Sequence, residues 1–162
     1  MPLNNEVVIV PYSPKHKESF KTLNEQWINQ YFTIEEEDSR QLNDPEKYIL
    51  QHGGYIFIAL LDETPVGTVA LARHSDTAFE LCKMCVSPLA QGQKIGSILC
   101  RTAIEHAKIA GAGILVLESN KRLGSALNIY SQLGFKETPD FVSKYNRVDI
   151  RMELDLSAYN VV

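Results

Sequence analysis

Residues 80–96 read ELCKMCVSPLAQGQKIG, a strand-like run that passes through Ser87 and Pro88 into a loop of Gln, Gly and Lys. The loop opens an amphipathic helix. The first turn of a helix has backbone N–H groups without partners and carries the positive end of the helix dipole, so a small-residue loop leading into it can hold phosphate oxygens. The stretch therefore predicts a pyrophosphate site where a strand meets a helix.

By itself, such a loop is more often a plain connection between a strand and a helix. Three further features of the sequence favour a binding role. They are Glu80 seven residues before Ser87, the apolar run 114–117 leading into Glu118-Ser119-Asn120, and the helix-like residues 126–130 (ALNIY) followed by Leu133-Gly134-Phe135. In this order they resemble the GNAT superfamily of acetyl-CoA-dependent N-acetyltransferases.

The resemblance is close over residues 80–135 and looser elsewhere. The loop of the superfamily usually reads Gln/Arg-x-x-Gly-x-Gly/Ala, and this chain matches at Gln91 and Gly96 but has Lys94 where the first fixed glycine is expected. A Cβ at this position can crowd the approach of phosphate to the backbone, whereas a lysine ammonium can contact the phosphate directly. The resemblance implies acetyl-CoA as the acetyl donor. The residues that it implies for binding acetyl-CoA are Met84, Cys85, Val86, Gln91, Gly92, Gln93, Lys94, Ile95, Gly96, Ser97, Asn120 and Asn128.

The resemblance also implies two catalytic residues. An amine acceptor is mostly protonated at neutral pH, since a free lysine has a pKa of about 10.4, so a base must remove its proton. Glu80 matches the strand carboxylate that many GNAT enzymes use as this base, commonly through a water, and Glu118 is the alternative. Tyr130 matches the helix tyrosine that protonates the departing thiolate. The residue types also allow structural roles: Glu80 paired with Lys83 or Arg73, and Tyr130 packed in the core.

The region between the first two predicted helices often lines the acceptor pocket in GNAT enzymes. The resemblance therefore implies that Tyr31 and Phe32 form an aromatic wall and that Glu35 attracts a cationic amine. The acidic residues here are equally explained by stabilisation of a helix N-terminus. Neither Cys82 nor Cys85 has a nearby histidine in the sequence, which favours direct transfer to the primary amine of a small molecule or peptide. A non-catalytic acyl-CoA-binding module is the competing interpretation.

The three cysteines, an odd number, predict no disulfide framework. Cys82 and Cys85 have CxxC spacing, but residues three apart on a regular strand face opposite sides, and no second CxxC completes a metal site. Cys100 and His106 are six residues apart, which does not place them on one helical face. We therefore expect no metal and assign the thiols to the core.

Composition favours a single domain over residues 1–162, with 44% hydrophobic and 22% charged residues, and the resemblance implies that it is an N-acetyltransferase (GNAT-like) domain. The formal net charge of −4 gives no general attraction to nucleic acid or to an anionic membrane. The N-terminal sequence lacks a leader pattern, and the longest apolar run, residues 55–61, is too short to span a bilayer. We therefore expect a cytoplasmic protein without nucleic-acid or membrane partners. The resemblance allows a homodimer paired through an edge strand near the C-terminus.

The hydrophobic pattern predicts an α/β (α+β) fold with a mixed, mostly antiparallel central sheet of about six to seven strands and about four flanking helices, and the resemblance implies that this fold is of the GNAT type. A Rossmann fold is disfavoured because the loop has two glycines, Gly92 and Gly96, in mid-chain instead of GxGxxG after a first strand. Helices are expected from residue 11 to about 32, from a Thr33 cap to about 52, from 95 to 110 and from 123 to 133. Strands are expected at 7–10, 55–61, 66–72, 78–86, 114–117, 135–144 and 147–156.

Overall fold

The computed structural model describes residues 6–159, which form a seven-stranded sheet and four α-helices. The strands are β1 (Val7–Pro11), β2 (Tyr55–Leu61), β3 (Thr64–Arg73), β4 (Ala78–Val86), β5 (Ile114–Ser119), β6 (Lys136–Glu137) and β7 (Ile150–Asp155). The helices are α1 (Lys17–Tyr31), α2 (Glu36–Asn43), α3 (Ile95–Ile109) and α4 (Gly124–Gln132). This content confirms the predicted fold class.

The strand order is β1-β2-β3-β4-β5-β7-β6. All neighbouring strands are antiparallel except β4 and β5, which are parallel. The parallel pair follows from the connection through α3, because a strand–helix–strand crossover returns the chain in the same direction. At one side the sheet ends in β6, a strand of two residues. The C-terminal edge expected to pair with a second copy is therefore short.

Helices cover the sheet on both faces and create two clusters of buried side chains. In α1, Phe20 and Ile28 are buried and pack with Leu42 of α2 in the first cluster. In α3, Leu99 and Ala103 are fully buried in the second. Spacings of four and eight residues place these side chains on one helical stripe. Burial of each large aliphatic side chain contributes about 1.5–3 kcal/mol, so the two stripes fix both helices against the sheet.

The second predicted helix is wrong in its start and its length. Its cap is Glu35 instead of Thr33: the Glu35 side chain and the Asp38 side chain form a reciprocal capping box across the first turn. The helix ends at Asn43, before Pro45, and the chain continues as a short π-helix, Glu46–Leu50. The residue before a proline disfavours helical backbone, which explains the interruption.

The strand expected over residues 135–144 is reduced to Lys136–Glu137, and the last strand begins at Ile150 instead of residue 147. Pro139 cannot donate to a strand ladder, and Asp140 has a φ of +56°. Residues 138–149 therefore form an irregular segment, which we call the β6–β7 loop.

A bulge in β4 corrects the expected directions of two cysteines. Cys82 pairs with Ala70 and Cys85 pairs with Thr68. Between these two pairs β4 advances by three residues while β3 advances by two, so β4 contains one extra residue. The extra residue is accommodated where Lys83 has a φ of +51°. Because Ala70 and Thr68 lie on one face of β3, Cys82 and Cys85 share a face instead of opposing each other.

Candidate active site

A cavity of about 510 Å³ opens where β4 and β5 separate. The pairing of these strands runs from Ala78 with Ile114 to Glu80 with Val116. Past this point their C-terminal ends diverge, and side chains from α1, α3, α4 and the β6–β7 loop close the space between them. The cavity therefore joins the N-terminus of α3 to the last residues of both strands.

Most of the residues predicted from the sequence line this one cavity. The lining includes Tyr31, Phe32, Glu80, Met84, Cys85, Val86, Gln91, Gly92, Lys94, Ile95, Gly96, Ser97, Asn120 and Tyr130. Glu118, the alternative base, lines it as well. Three predicted residues, Gln93, Asn128 and Glu35, lie outside this lining.

The loop before α3 explains the glycine that the family pattern expects at position 94. Lys94 is the N-terminal cap residue of α3 and has left-handed backbone angles, φ 61° and ψ 22°. Gly92 is also left-handed, with a φ of +85°. Left-handed backbone costs a residue with a Cβ roughly 1–2 kcal/mol, whereas glycine adopts it freely. Lys94 thus keeps the backbone shape of the glycine and adds a cation.

The first turn of α3 is open to an anion. It contains no acidic residue, and no side chain caps it. Its second residue, Gly96, is buried, and a Cβ there would lie 3.4 Å from Cδ1 of Ile129 and 3.8 Å from the sulfur of Met84. Glycine at position 96 therefore lets α3 lie close to β4 and α4. The backbone N–H groups in the first turn of α3 stand at the strand–loop junction, an arrangement suited to phosphate.

Glu80 and Glu118 stand on the two separating strands. Oε1 of Glu80 lies 3.0 Å from Nε2 of His74, a partner that the sequence did not identify. The expected alternatives are engaged elsewhere: Lys83 bonds Asp38, and Arg73 bonds Asp76. The only available signal for His74 was its place in the turn that precedes β4.

Glu118 differs from Glu80 in its surroundings. Burial raises the pKa of Glu118 above its usual value, and the charge of Glu80 adds to this rise. Its Oε2 atom is buried and has no hydrogen-bond partner among residues 6–159. Such a carboxyl favours the protonated form more than an exposed glutamate does.

Tyr130 is packed in the core and also lines the cavity. It is 6% exposed and packs edge-on against Phe135, with ring centroids 5.9 Å apart. It also lines the cavity, and burial raises the pKa of its phenol well above 10. A phenol with a raised pKa stays protonated near neutral pH and can act as a proton donor.

Asp38 is a buried charged residue that the sequence did not identify as part of the site. It is 0% exposed and accepts hydrogen bonds from Nζ of Lys83 at 2.7 Å and from both terminal nitrogens of Arg147 at 2.6 and 2.8 Å. Burial raises the pKa of Asp38, but the Arg147 hydrogen bond and the Lys83 charge outweigh it and hold the pKa at about 2. Asp38 therefore ties α2 to the β4 bulge and to the β6–β7 loop.

Glu35 belongs to this same network. Its carboxylate accepts from the backbone N–H of Asn146 at 2.9 Å and from Arg147 at 3.4 Å. It thus holds the β6–β7 loop from behind the cavity wall.

Aromatic rings form the wall at the end of α1. Trp27, Tyr31 and Phe32 have ring centroids 5.5–6.5 Å apart. Arg122 lies over the ring of Phe32, 5.3 Å from its centroid, and donates to the carbonyl of Tyr31. The wall is therefore apolar, with one cation beside it.

Asn120 has both ends of its amide occupied. Its Nδ2 donates to the carbonyl of Arg147 at 2.7 Å, and its Oδ1 accepts from the N–H of Arg122 at 2.8 Å. The side chain fastens the segment after β5 to the β6–β7 loop. It lines the cavity while making these two bonds.

Within residues 6–159, no group of three or more His, Cys, Asp or Glu side chains is placed to hold a metal ion. The same residues contain no helix with the length and apolar character needed to cross a bilayer. Burial raises the pKa of Cys82 to about 12 and that of Cys85 to about 11, which keeps both thiols protonated.

Comparison with known proteins points to one family. The model of the acetyltransferase (GNAT) domain matches residues 52–137. An uncharacterised N-acetyltransferase of Schizosaccharomyces pombe is 26% identical over 150 residues, which cover 89% of this chain and 91% of that protein. By contrast, the chain spans about half the length of the Xenopus and human N-acetyltransferases that it matches.

Solved structures share the fold. An acetyltransferase of the GNAT family from Staphylococcus aureus Mu50 superposes with a TM-score of 0.83 at 24% identity, over 93% of this chain and 99% of that one. A Salmonella typhimurium protein, determined with its cofactor acetyl-CoA, superposes with a TM-score of 0.77 at 16% identity, over 97% of this chain and 98% of that one. Both likenesses concern the backbone architecture.

Proposed function

This chain belongs to the GNAT family of acetyltransferases, and from that premise we propose that it moves an acetyl group from acetyl-CoA directly to a primary amine of a small molecule or peptide. The chain is thus an acetyl-CoA-dependent N-acetyltransferase. One observation carries the proposal for the site. A single cavity connects the open N-terminus of α3 with a pair of carboxyls and a buried tyrosine.

The cofactor end of the cavity is proposed to run from the loop before α3 along β4. Backbone N–H groups of residues 92–97 would hold the pyrophosphate, with Lys94 adding a charge contact. Beyond Glu80, β4 has left β5, so its edge is available to the amide groups of the pantetheine arm. Met84, Cys85 and Val86 are the residues of this edge that line the cavity. Gln93 and Asn128 lie at its periphery.

Glu80 is proposed as the base. It takes a proton from the acceptor ammonium, directly or through a water, and the freed nitrogen lone pair attacks the thioester carbonyl carbon. A C–N bond forms as the C–S bond breaks. Negative charge that develops on the carbonyl oxygen is stabilised by a backbone N–H of β4 near Cys85 or Val86. The amine nitrogen ends as an amide, and its second proton is released to solvent.

Tyr130 is proposed as the acid. Its phenol donates a proton to the departing sulfur, which leaves as a thiol, and the phenolate recovers a proton from solvent. Burial raises the pKa of Tyr130, which keeps the phenol protonated when the C–S bond breaks and also makes it a weaker acid; the assignment therefore rests on its place in the cavity lining. Direct transfer is supported by the raised pKa values of Cys82 and Cys85, since a protonated thiol is a poor nucleophile.

The acceptor end is proposed to be the space between the α1 aromatic wall and the β6–β7 loop. Tyr31 and Phe32 offer apolar surface to the body of the acceptor. Glu35 would act on the acceptor through the loop that it holds, since its carboxylate is bonded to Asn146 and Arg147.

We also propose a cytoplasmic location. Light scattering would measure whether the chain forms the homodimer that the resemblance allows.

The first test is calorimetric titration with acetyl-CoA, with NAD as a comparison ligand. We expect one-to-one binding of acetyl-CoA alone. Release of free CoA thiol is then followed with a panel of primary amines. Tyr130→Phe and Glu80→Gln are each expected to lower kcat roughly a hundred- to ten-thousandfold and to leave acetyl-CoA affinity unchanged. Tyr48→Phe is the matched control because Tyr48 lies on the π-helix outside the cavity.

A non-catalytic acyl-CoA-binding module is the alternative function. It keeps the same phosphate loop, so titration alone does not separate the two. A chain that binds acetyl-CoA but releases no thiol with any amine favours the module. Failure to bind acetyl-CoA would overturn both.

A further inference from the structure

The proposed base has a partner on its solvent side. Nε2 of His74 lies 3.0 Å from Oε1 of Glu80. The Glu80 side chain is 17% exposed and lines the cavity, whereas the His74 side chain is 47% exposed. The pair therefore connects the cavity with bulk water through one hydrogen bond.

The fold holds His74 in this place through its backbone. Ala72 pairs with Glu80 across β3 and β4, and His74 follows two residues later, on the same side of the strand. The N–H of His74 donates to the carbonyl of Ala78 at 2.9 Å. The hydroxyl of Ser75 accepts from the N–H of Ala78 at 3.1 Å and closes the turn. The imidazole is thus placed beside Glu80 by an ordered turn.

Of the two carboxyls in the cavity, Glu80 has this route and Glu118 does not. Oε2 of Glu118 is buried without a hydrogen-bond partner in the described part of the chain. A base must lose its proton before the next turnover. The carboxyl with an exposed imidazole attached is the one that can do so without opening the cavity.

The charges around His74 tune its proton affinity in both directions. Its hydrogen bond with Glu80 raises the pKa of His74 above 6.5, while Arg151 and Lys144 oppose the rise. The facing groups are Arg73 and Asp76 of its own turn, Glu80 of β4, Glu118 of β5, Arg151 of β7 and Lys144 of the β6–β7 loop.

Resting on the proposed function, we propose that the proton taken from the acceptor amine leaves the cavity from Glu80 to His74, so that His74 acts through Glu80 as a positioning and proton-accepting residue. Glu80 first receives the amine proton. The proton then moves from the Glu80 carboxyl to Nε2 of a neutral His74, which becomes imidazolium. The exposed ring exchanges with water, returns to the neutral tautomer and restores the Glu80 carboxylate.

The direction of transfer follows from ordinary acidities. A free histidine has a pKa of about 6.5 and a free glutamate about 4.3, so the proton favours the imidazole roughly a hundredfold. Imidazole near neutral pH also releases its proton to water readily. A half-buried carboxylate that passes its proton to an imidazole therefore recovers its basic form in each turnover.

The proposal is tested by the pH dependence of acetyl transfer. In the wild type, kcat/KM should fall as the pH decreases through the raised His74 pKa, because protonated His74 cannot take a second proton at Nε2. His74→Gln keeps a hydrogen-bond donor to Glu80 but cannot carry the proton. We expect this variant to lose at least tenfold in kcat and to shift the acid limb to lower pH. His52→Gln, which changes an exposed histidine outside the cavity lining, is the control and should keep the wild-type profile.

Chemical rescue separates proton transfer from a structural role. His74→Ala should be slow in dilute buffer and regain activity as free imidazole is added, with unchanged affinity for acetyl-CoA. A wild-type pH profile in His74→Gln would overturn the proposal, as would a loss of activity that imidazole does not restore. A wild type that acetylates no amine would instead overturn the proposed function, and the relay with it.

Discussion

The two ends of the cavity differ in the parts of the chain that form them, mainly backbone at one end and mainly side chains at the other. The proposed cofactor end consists of backbone: left-handed residues at 92 and 94, the first turn of α3 and the free edge of β4. The proposed acceptor end depends on charged side chains behind its aromatic wall, with Lys83 and Arg147 both bonded to a fully buried Asp38. The first should therefore tolerate changes of side-chain charge but not added bulk, and the second should tolerate changes of bulk but not loss of charge.

Loss of the Asp38 charge should have the largest effect. Asp38→Asn leaves the buried Lys83 ammonium without a carboxylate and leaves Arg147 with Glu35 alone, and breaking a buried pair in this way costs about 3–5 kcal/mol. The free energy of unfolding in urea should fall by that amount. We expect the acceptor KM to rise while the affinity for acetyl-CoA stays within a few-fold.

A matched variant tests whether burial is the reason. Glu36→Gln, on the same helix, removes an exposed ion pair with Arg40. Exposed pairs contribute little, so the urea midpoint should not move measurably. Equal losses in the two variants, or a loss of acetyl-CoA affinity in Asp38→Asn, would contradict the division between the two ends.

Acid should remove part of the same stabilisation. The pKa of Asp38 is about 2 in the folded protein, below the ordinary value of 3.8 for an aspartate, so the folded state favours the charged form. This stabilisation is present above pH 4 and is lost as the pH falls toward 2; it amounts to about 2 kcal/mol. Unfolding curves at several pH values should show the gap between wild type and Asp38→Asn narrowing by this amount. A constant gap would show that Asp38 is not the titrating group.

Added bulk should affect the cofactor end. In Gly96→Ala, the new methyl lies 3.4 Å from Ile129 and 3.8 Å from the sulfur of Met84, so the fold accepts it with small shifts. It also narrows the cavity beside the proposed phosphate path. We expect unfolding free energy to change little and acetyl-CoA affinity to fall about tenfold, or about 1.4 kcal/mol. Calorimetry measures the affinity, and Gly113→Ala, outside the cavity lining and with the carbonyl oxygen of Thr77 3.9 Å from the added Cβ, is the control.

The smallest effect is expected at Lys94. Lys94→Ala keeps the left-handed strain and removes the charge, whereas Lys94→Gly removes both. The glycine variant should be more stable than the alanine variant by about 1 kcal/mol in urea unfolding. Both should bind acetyl-CoA with a weaker dependence on salt than the wild type. Identical stabilities would mean that position 94 is not held left-handed in solution.

The difference between the two ends also decides what the sequence could reveal. The cofactor end lies within a short segment, and the alternation of a strand, a loop of small residues and a helix is visible in residues 80–109. The network around Asp38 joins it to Lys83, 45 residues away, and to Arg147, 109 residues away. Nothing local in the sequence indicates that these charges meet, because the fold alone brings them together.

Two other differences between the predicted and the observed strands come from interruptions of a strand. The direction of Cys85 changes because one residue of β4 is extra to the ladder, and a bulge leaves no pattern in the alternation of apolar residues. The segment 138–149 contains enough apolar residues to suggest a strand, but Pro139 and the anchoring of Arg147 keep it irregular. The elements themselves were predictable from periodicity, whereas their interruptions were not.

The β6–β7 loop has an implication for how such a chain changes its substrate over evolution. Arg147 pins the end of the loop to Asp38, while Val142, nearer its middle, is 95% exposed. Insertions or replacements around Val142 can remodel the proposed acceptor entrance while Tyr145, whose ring lies against Arg147, and Asn146, which bonds Glu35, keep their contacts. The middle of the loop can thus be exchanged while its two ends, at β6 and at Arg147, stay in place. This exchange is the natural starting point for redesigning the choice of acceptor.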